Sequence, residues 1–515
     1  KRLRQTVKKR KARKALHLFL PQHVLIGRAG KLLASHANKA ALEAADAALK
    51  LKPKSEDLCA LHAVRGRALR KMRRHRKAIK AYDAYLKAAC DNDSGPGVMY
   101  GRIYSQAVVD GSRLEPVVAA AHKRFPKHRL SDDYLFFLAE YYQRQKKPKL
   151  AQKTYARLVS EHPDGDMAEE AHWRQAWMAF RSGDHALAKQ KLDVFLRAGA
   201  GATVHPSDHQ LRARYWRALL EPPQSRAGSL MALVREHPAT WQALMAATRL
   251  GAKAQLPAPL KGMIVAGKQV QATAALNEDK RYTKAMDLMV LELNDQALRL
   301  LRKIPVKNLS AADLLPLAQA LIRAGGVADA VGRLRHAPAL RGVPQKGAEA
   351  LWRLAYPRPF VSLITEHAEA NKIPPALLFG LIREESGFDE KVLSWAGAKG
   401  LTQCMPPTAR MVARRHKVRG YSWAKMDEPA LNVRIGSLYL GGLLKRWKGV
   451  LPMAVGSYNA GPGAMSRMRK KQPQLVMDQW VEEISIRQTR EYVQRVLASA
   501  WTYAQLYPDL GGLDL

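Results

Sequence analysis

Residues 371–409 read NKIPPALLFGLIREESGFDEKVLSWAGAKGLTQCMPPTA. The two prolines in NKIPP suit a first helical turn, where a missing N–H would have no partner anyway. Gly387 then offers a stop. At about 100° per residue, Leu377, Leu378, Leu381 and Ile382 form one apolar stripe, with Glu385 within roughly 10° of its centre and Glu384 about 90° away. A carboxyl facing an apolar wall is costly to ionise and stays able to donate a proton, so Glu385 is the candidate acid. Glu384 is expected to reach solvent or pair with a nearby basic group. Taken alone, a glutamate near a helix end also fits an ion pair.

N-terminal to this stretch one helical pattern recurs: KAIKAYDAYL from residue 77, LAQKTYARLV from 150, LAKQKLDVFL from 187, DQALRLLRKI from 295 and ADAVGRLRHA from 328. The first three starts lie about two repeats and then one repeat apart. A period in the mid-thirties fits paired helices that stack because one pair cannot bury its apolar face alone. HPDGD at 162 and RSGDH at 181 fall where turns belong. The aromatic residues of AHWRQAWMAF and ARYWRALLEPP are expected to fill the core between helices. The Gly/Pro segment 251–268 interrupts the pattern, and its GK dipeptide lacks the rest of a phosphate loop. A second break comes at LAYPRPF, residues 354–360, after which the repeats stop.

With 515 residues the chain is too long for one core. Its residues are 47% hydrophobic, rich in Ala and Leu and poor in β-branched types, which favours an all-α fold. The net charge of +42 attracts polyanions in general, whether nucleic acid, anionic membrane or acidic wall polymer, and does not select among them. KRLRQTVKKRKARKA at the start reads as a solvated tail or a polyanion contact. No apolar run reaches the roughly 18 to 20 residues of a membrane span. Lys1 in place of Met is compatible with removal of an export signal, which the sequence does not establish. Cys59, Cys90 and Cys404 make no CxxC pair and no Cys/His cluster at zinc spacing, so neither a metal site nor a redox motif is indicated. All three are expected to be buried thiols, and Cys59 and Cys90 would pair only with Cα atoms within about 7 Å.

The segment ES followed by S…GA.GL.Q..P.TA, then SYNAGPGA at 457–464 and VEEISIRQTREYVQRVL at 481–497, resembles the catalytic domain of soluble lytic transglycosylases, which is related to goose-type lysozyme. The repeat region resembles the superhelix of the large soluble members. The resemblance implies an all-α chain with a basic N-terminal segment (1–30), an α-solenoid of TPR-like repeats (31–250), further repeats or a linker domain (251–355) and a lysozyme-like catalytic domain (356–515). Closure of the solenoid into a ring stays open. By the same resemblance Glu385 is the single acid/base, and Ser386, Ser394, Gln403, Met405, Tyr458, Asn459, Glu482 and Tyr492 are substrate-binding, with Arg490 in the closing motif. From the residues alone, Ser394, Gln403 and Asn459 could simply bond turn backbones, Tyr458 could be a core ring, and Glu482 could buttress the fold. Thr402, Cys404, Ser485, Ile486 and Gln488 depart from the family pattern, and Thr402 is expected to alter cleft shape.

The resemblance also implies the chemistry. Glu385 protonates the oxygen between N-acetylmuramic acid and N-acetylglucosamine, then takes the proton of the muramic acid 6-hydroxyl as a 1,6-anhydro ring closes. Tyr458 would hydrogen-bond Glu385 or the acetamido group. No metal or organic cofactor is expected. The expected partners are peptidoglycan strands, with wall-synthesis or envelope proteins on the repeats and no specific nucleic acid, in the periplasm or cell envelope. A water-using muramidase with Asp389 or another carboxylate as partner is the near rival, Asp427 and Glu428 reading as a turn and helix start. A catalytically silent wall-binding scaffold is a more distant one. A nucleic-acid binder rests on charge alone.

Overall fold

The structure, a computed structural model, describes residues 20–88, 90, 93–198, 206–251, 272–306, 309–335, 337, 340, 342 and 349–513. The basic run at the start and most of the Gly/Pro segment lie outside them. The chain forms two compact bodies, residues 1–202 and 203–515. No β-strand occurs among the described residues; isolated antiparallel bridges join Leu393 to Lys399 and Lys399 to Cys404.

The first body is built from α1 (Gln22–Ala34), α2 (Asn38–Lys50), α3 (Ser55–Lys71), α4 (His75–Lys87), α5 (Gly95–Val109), α6 (Leu114–Arg124), α7 (Ser131–Arg144), α8 (Pro148–Glu161), α9 (Ala168–Arg181) and α10 (His185–Ala198). The segment 1–30, expected as a basic tail, therefore already contains the start of a helix at Gln22. Sequence neighbours pair: α1 on α2, α3 on α4, α7 on α8 and α9 on α10.

Each of these pairs turns through a left-handed residue two positions before its second helix: His36, Arg73, Lys146 and Gly183. The residue after it donates its N–H back across the helix end, as from Arg74 to Leu69, Lys147 to Tyr142 and Asp184 to Ala179. This bond satisfies a carbonyl that the helix leaves open. Holding a non-glycine residue in this region costs about 1 to 2 kcal/mol. The repeat is therefore written in turn geometry as well as in the apolar pattern, and the missing turn falls at Asp110, where a short 3-10 turn replaces it. The tryptophans Trp173, Trp177 and Trp216 are 1 to 2% exposed, as the core reading expects.

Cys59 of α3 and Cys90 after α4 form a disulfide with Cα atoms 5.7 Å apart, so two of the three expected free thiols are bonded. The distance condition was the one sequence could not evaluate. Cys404 is free and buried.

The second body opens with α11 (Asp208–Leu219), α12 (Pro223–Glu236) and α13 (Trp241–Leu250). It continues through α14 (Ala274–Asn277), α15 (Lys280–Val290), α16 (Asn294–Leu301), α17 (Ala311–Arg323), α18 (Val327–Leu334) and α19 (Glu349–Ala355). Glu292 and Gly325 repeat the left-handed turn of the first body. The C-terminal helices are α20 (Val361–Ala370), α21 (Pro375–Ser386), α22 (Pro406–Arg415), α23 (Pro429–Arg446), α24 (Leu451–Ala460), α25 (Pro462–Lys471), α26 (Met477–Glu482) and α27 (Arg487–Leu506). Helices at 208–250, assigned from sequence to the first superhelix, belong to this second body. Tyr215 donates to Asp478 at 2.7 Å, Arg249 pairs with Asp478 at 2.7 Å, and the Trp501 indole donates to the Pro238 carbonyl at 3.0 Å. Polar groups fixed 200 and more residues apart were beyond reach of pattern reading.

A candidate active site at the end of a buried helix

Helix α21 is buried from Ala376 through Arg383, on every side rather than along one stripe. It lies hard against α27: a Cβ on Gly380 would stand 2.6 Å from the Ala500 nitrogen, so only glycine fits. The helix stops at Gly387, with φ of 60°, whose N–H bonds to the Arg383 carbonyl. Ser386 closes the end, donating to the Ile382 carbonyl and accepting from the Phe388 N–H at 3.1 Å. Two glutamates thus end a helix that water reaches only at its tip.

Their environments differ sharply. Glu385 accepts a hydrogen bond on Oε1 from the Tyr492 hydroxyl of α27 at 2.5 Å. Burial pushes its carboxyl up to about 7, helped by the charge of Glu384 and opposed by the Tyr492 bond and by Arg495. Glu384 has a side chain only 3% exposed and is surrounded by cations. Arg335 and Arg383 each pair with it at 2.7 Å, Arg495 stands at 3.5 Å, and Ser499 donates at 2.8 Å. Of the two roles expected for Glu384, ion pairing is observed, and the pair is inside the protein.

The segment after the helix is a tight loop. Gln403 has a positive φ of 45°, and its side-chain nitrogen donates to the Val392 carbonyl at 3.1 Å and the Gly400 carbonyl at 2.9 Å. Ser394 accepts from the Ala398 N–H at 2.9 Å. Both side chains bond turn backbone, as the plainer reading of these residues allowed. Buried Asn432 of α23 gathers the loop: its amide donates to the Lys399 and Met426 carbonyls, and its oxygen accepts from the Thr402 N–H and hydroxyl. Thr402 is 0% exposed, so it does not shape an open cleft surface. Met405, 38% exposed, precedes α22, and Trp395 on the loop is 83% exposed.

Tyr458 was expected to bond Glu385 or substrate. Its hydroxyl instead donates to the Thr402 carbonyl at 2.8 Å, with its ring 5.2 Å from that of Tyr439, while Tyr492 supplies the bond to Glu385. The burial of Tyr458 raises its phenol well above the ordinary value, with the nearby Cys404 and Glu385 adding to the rise. Asn459 accepts from the Thr489 hydroxyl at 2.8 Å. Glu482 is 2% exposed; Arg212 bonds its Oε2, and the Trp216 indole lies 3.4 Å from its Oε1. Glu482 is thus held inside the protein by Arg212 and Trp216, the environment that the buttress reading describes. Arg490 is 5% exposed.

The alternative carboxylates face elsewhere. Asp389 is exposed and accepts from the Lys391 N–H at 2.8 Å. Asp427 pairs with Lys399 at 3.1 Å, and Glu428 stands 3.8 Å from Lys425. Sequence reasoning missed the cations around Glu384, the support of Asn459 by Thr489, the role of Asn432 and exposed Trp395. One signal was available: Tyr492, Arg495 and Ser499 are spaced three and four apart, hence on one face of α27.

Residues 362–481 match the family model of the transglycosylase SLT domain. The soluble lytic murein transglycosylase of Escherichia coli (strain K12) is 30% identical over 145 residues, covering 28% of this chain and 22% of that protein. The membrane-bound lytic murein transglycosylase C of Haemophilus ducreyi is 32% identical over 120 residues, 22% of this chain and 33% of that one. In these alignments the chain spans about a fifth to a third of the length of its relatives. Two solved structures share the fold. Lytic transglycosylase Slt from Pseudomonas aeruginosa, solved as an inactive mutant, superposes with a TM-score of 0.61 at 16% identity, covering 96% of this chain and 84% of that one. The 70-kDa soluble lytic transglycosylase in complex with bulgecin A gives 0.60 at 17% identity, with coverage of 99% and 92%. The stretch that carries Glu384 and Glu385 thus lies within a segment that matches the transglycosylase SLT domain.

Proposed function

We propose that the protein is a peptidoglycan lytic transglycosylase that cleaves the β-1,4 bond between N-acetylmuramic acid and N-acetylglucosamine and leaves 1,6-anhydromuramoyl ends. The observation that carries this reading is the pair of unequal glutamates: Glu385 stays protonated up to about pH 7, while Glu384 is tied up by arginines. Glu385 donates to the glycosidic oxygen as the bond breaks, then accepts the proton of the 6-hydroxyl as that oxygen attacks C1. The nucleophile belongs to the substrate, so a second carboxylate is not required. General acid/base help of this kind contributes about 100- to 10,000-fold, and intramolecular attack removes the entropy of recruiting another molecule.

Tyr492 aims the carboxyl, and the loop 392–405 with Asn459 forms the wall against which the sugars rest. In this reading Ser386 and Gln403 shape the backbone of the cleft, and Met405, Tyr458 and exposed Trp395 present the apolar surface that sugar faces prefer. Among the described residues no helix is long and apolar enough to cross a membrane. The envelope is the compartment that holds the substrate, and the charge of +42 would hold the enzyme on peptide carboxylates of the wall. Bulgecin A, the ligand of the 70-kDa structural relative, is proposed to occupy the same cleft.

Mass spectrometry of muropeptides released from purified sacculi tests the reaction type. Anhydromuramoyl ends are expected. Reducing muramic acid ends would make the protein a muramidase, and no release would leave a wall-binding scaffold.

A further inference from the structure

Outside the SLT domain, the first body brings together three donor atoms from two helix ends. His122 lies in the last turn of α6; Glu161 ends α8, and His162 follows it directly. His122 Nε2 stands 3.0 Å from His162 Nε2 and 3.2 Å from Glu161 Oε2. The rings meet edge to face, with centroids 5.3 Å apart and planes at 75°. All three donor atoms fall within 4.8 Å of one another.

Protons alone serve this arrangement poorly. A neutral imidazole carries one N–H. His122 Nδ1 faces the donor-only Arg157 guanidinium at 3.5 Å, which assigns its single proton to Nε2. That one proton then has two claimants, the His162 nitrogen and the Glu161 oxygen. If it sits on Nδ1 instead, that N–H faces the Arg157 donor, and His162 must supply the proton between the two Nε2 atoms. A divalent ion would instead accept a lone pair from each of the three atoms, with no shared proton between them. Tetrahedral zinc, with bonds of about 2.0 to 2.2 Å to nitrogen and oxygen, sets its ligand atoms roughly 3.3 Å apart, close to the two separations from His122, 3.0 and 3.2 Å.

We propose that His122 and His162, through Nε2, and Glu161, through Oε2, form a site for a divalent ion of the zinc class that fastens the end of α6 to the end of α8. Two imidazoles and one carboxylate select zinc and its neighbours over magnesium or calcium, which prefer oxygen ligands. Arg157 is the outer partner: it bonds Glu161 Oε1 at 2.7 Å and Oε2 more loosely at 3.4 Å, and so fixes the carboxylate beside the imidazoles. On binding, the His122 proton moves to Nδ1 and the 3.5 Å contact to Arg157 is given up. A fourth position is left for water. His122 and His162 are 40 residues apart in the chain, so no local spacing marks the site.

The test uses the full chain without a histidine tag, stripped with chelator and titrated with zinc chloride in a calorimeter. One zinc per chain at micromolar or tighter affinity is expected, with magnesium silent and with H122Q and H162Q each weakened at least about 100-fold. X-ray absorption at the zinc edge of the loaded wild type should show two imidazole nitrogens. This reading stands even if a variant fails to fold. No zinc bound below about 100 µM, unchanged affinity in both variants, or a zinc shell without an imidazole pair would overturn the proposal. The site is independent of the proposed reaction.

Discussion

The Tyr492 hydroxyl donates to Glu385 Oε1 at 2.5 Å, joining the end of α21 to the N-terminal third of α27. This bond favours the ionised carboxyl and works against burial, which raises it to about 7. The proposed reaction starts from the protonated form, so activity should fall as pH rises through about 7. Replacing Tyr492 by Phe removes the opposing bond. Y492F is expected to move this alkaline limb to higher pH while lowering the maximal rate by roughly tenfold or more through looser aim. A limb that stays in place would remove Tyr492 from the account.

Charges nearby should move the same limb in opposite directions. Arg495, half exposed, lowers the Glu385 value and Glu384 raises it. R495Q therefore shifts the limb up and E384Q shifts it down, read from sacculus digestion across pH. E384Q also strands Arg335 and Arg383 and should cost about 3 to 5 kcal/mol in chemical denaturation. Shifts of one sign for both variants would contradict the electrostatic assignment.

A proton-holding site also changes stability. The folded value of Glu385, about 7, lies above the unfolded one near 4.5, so the folded state binds the extra proton between them. Stability linked to this proton is complete below pH 4.5 and is lost as pH rises through 7. E385Q carries no such dependence. It should match the wild type in acid and exceed it by about 3 kcal/mol at pH 8, measured by denaturant unfolding across pH. Equal stabilities at pH 8 would mean that the carboxyl ionises freely in the folded protein.

Glu482 tests structure against substrate contact. Its carboxylate is 2% exposed against Arg212, itself 5% exposed. E482Q is expected to lose about 3 to 5 kcal/mol of stability while keeping most of its turnover at low temperature. A large loss of turnover with stability intact would return Glu482 to the cleft.

Helices, repeats and the proposed acid were legible because each has a local cause. Apolar spacing marks the paired helices, and the prolines and Gly387 bound α21. Glu385 could be picked from its place on the apolar stripe, although that helix is buried all round and its partner Glu384 is the more enclosed side chain. What escaped is long-range. Tyr492 could be named from the motif but not given its bond, and Tyr458 was assigned the bond that Tyr492 makes. Cys59 pairing with Cys90, Arg335 reaching Glu384 and α11 docking on α26 all depend on which surfaces meet. No local pattern encodes that choice.

The most direct measurement compares E385Q with the wild type in digesting purified sacculi near pH 6. Removal of the proposed proton donor predicts a rate lower by about 100- to 10,000-fold, with the variant folded and still bound to the wall. Digestion by E385Q at the wild-type rate would contradict the role given to Glu385.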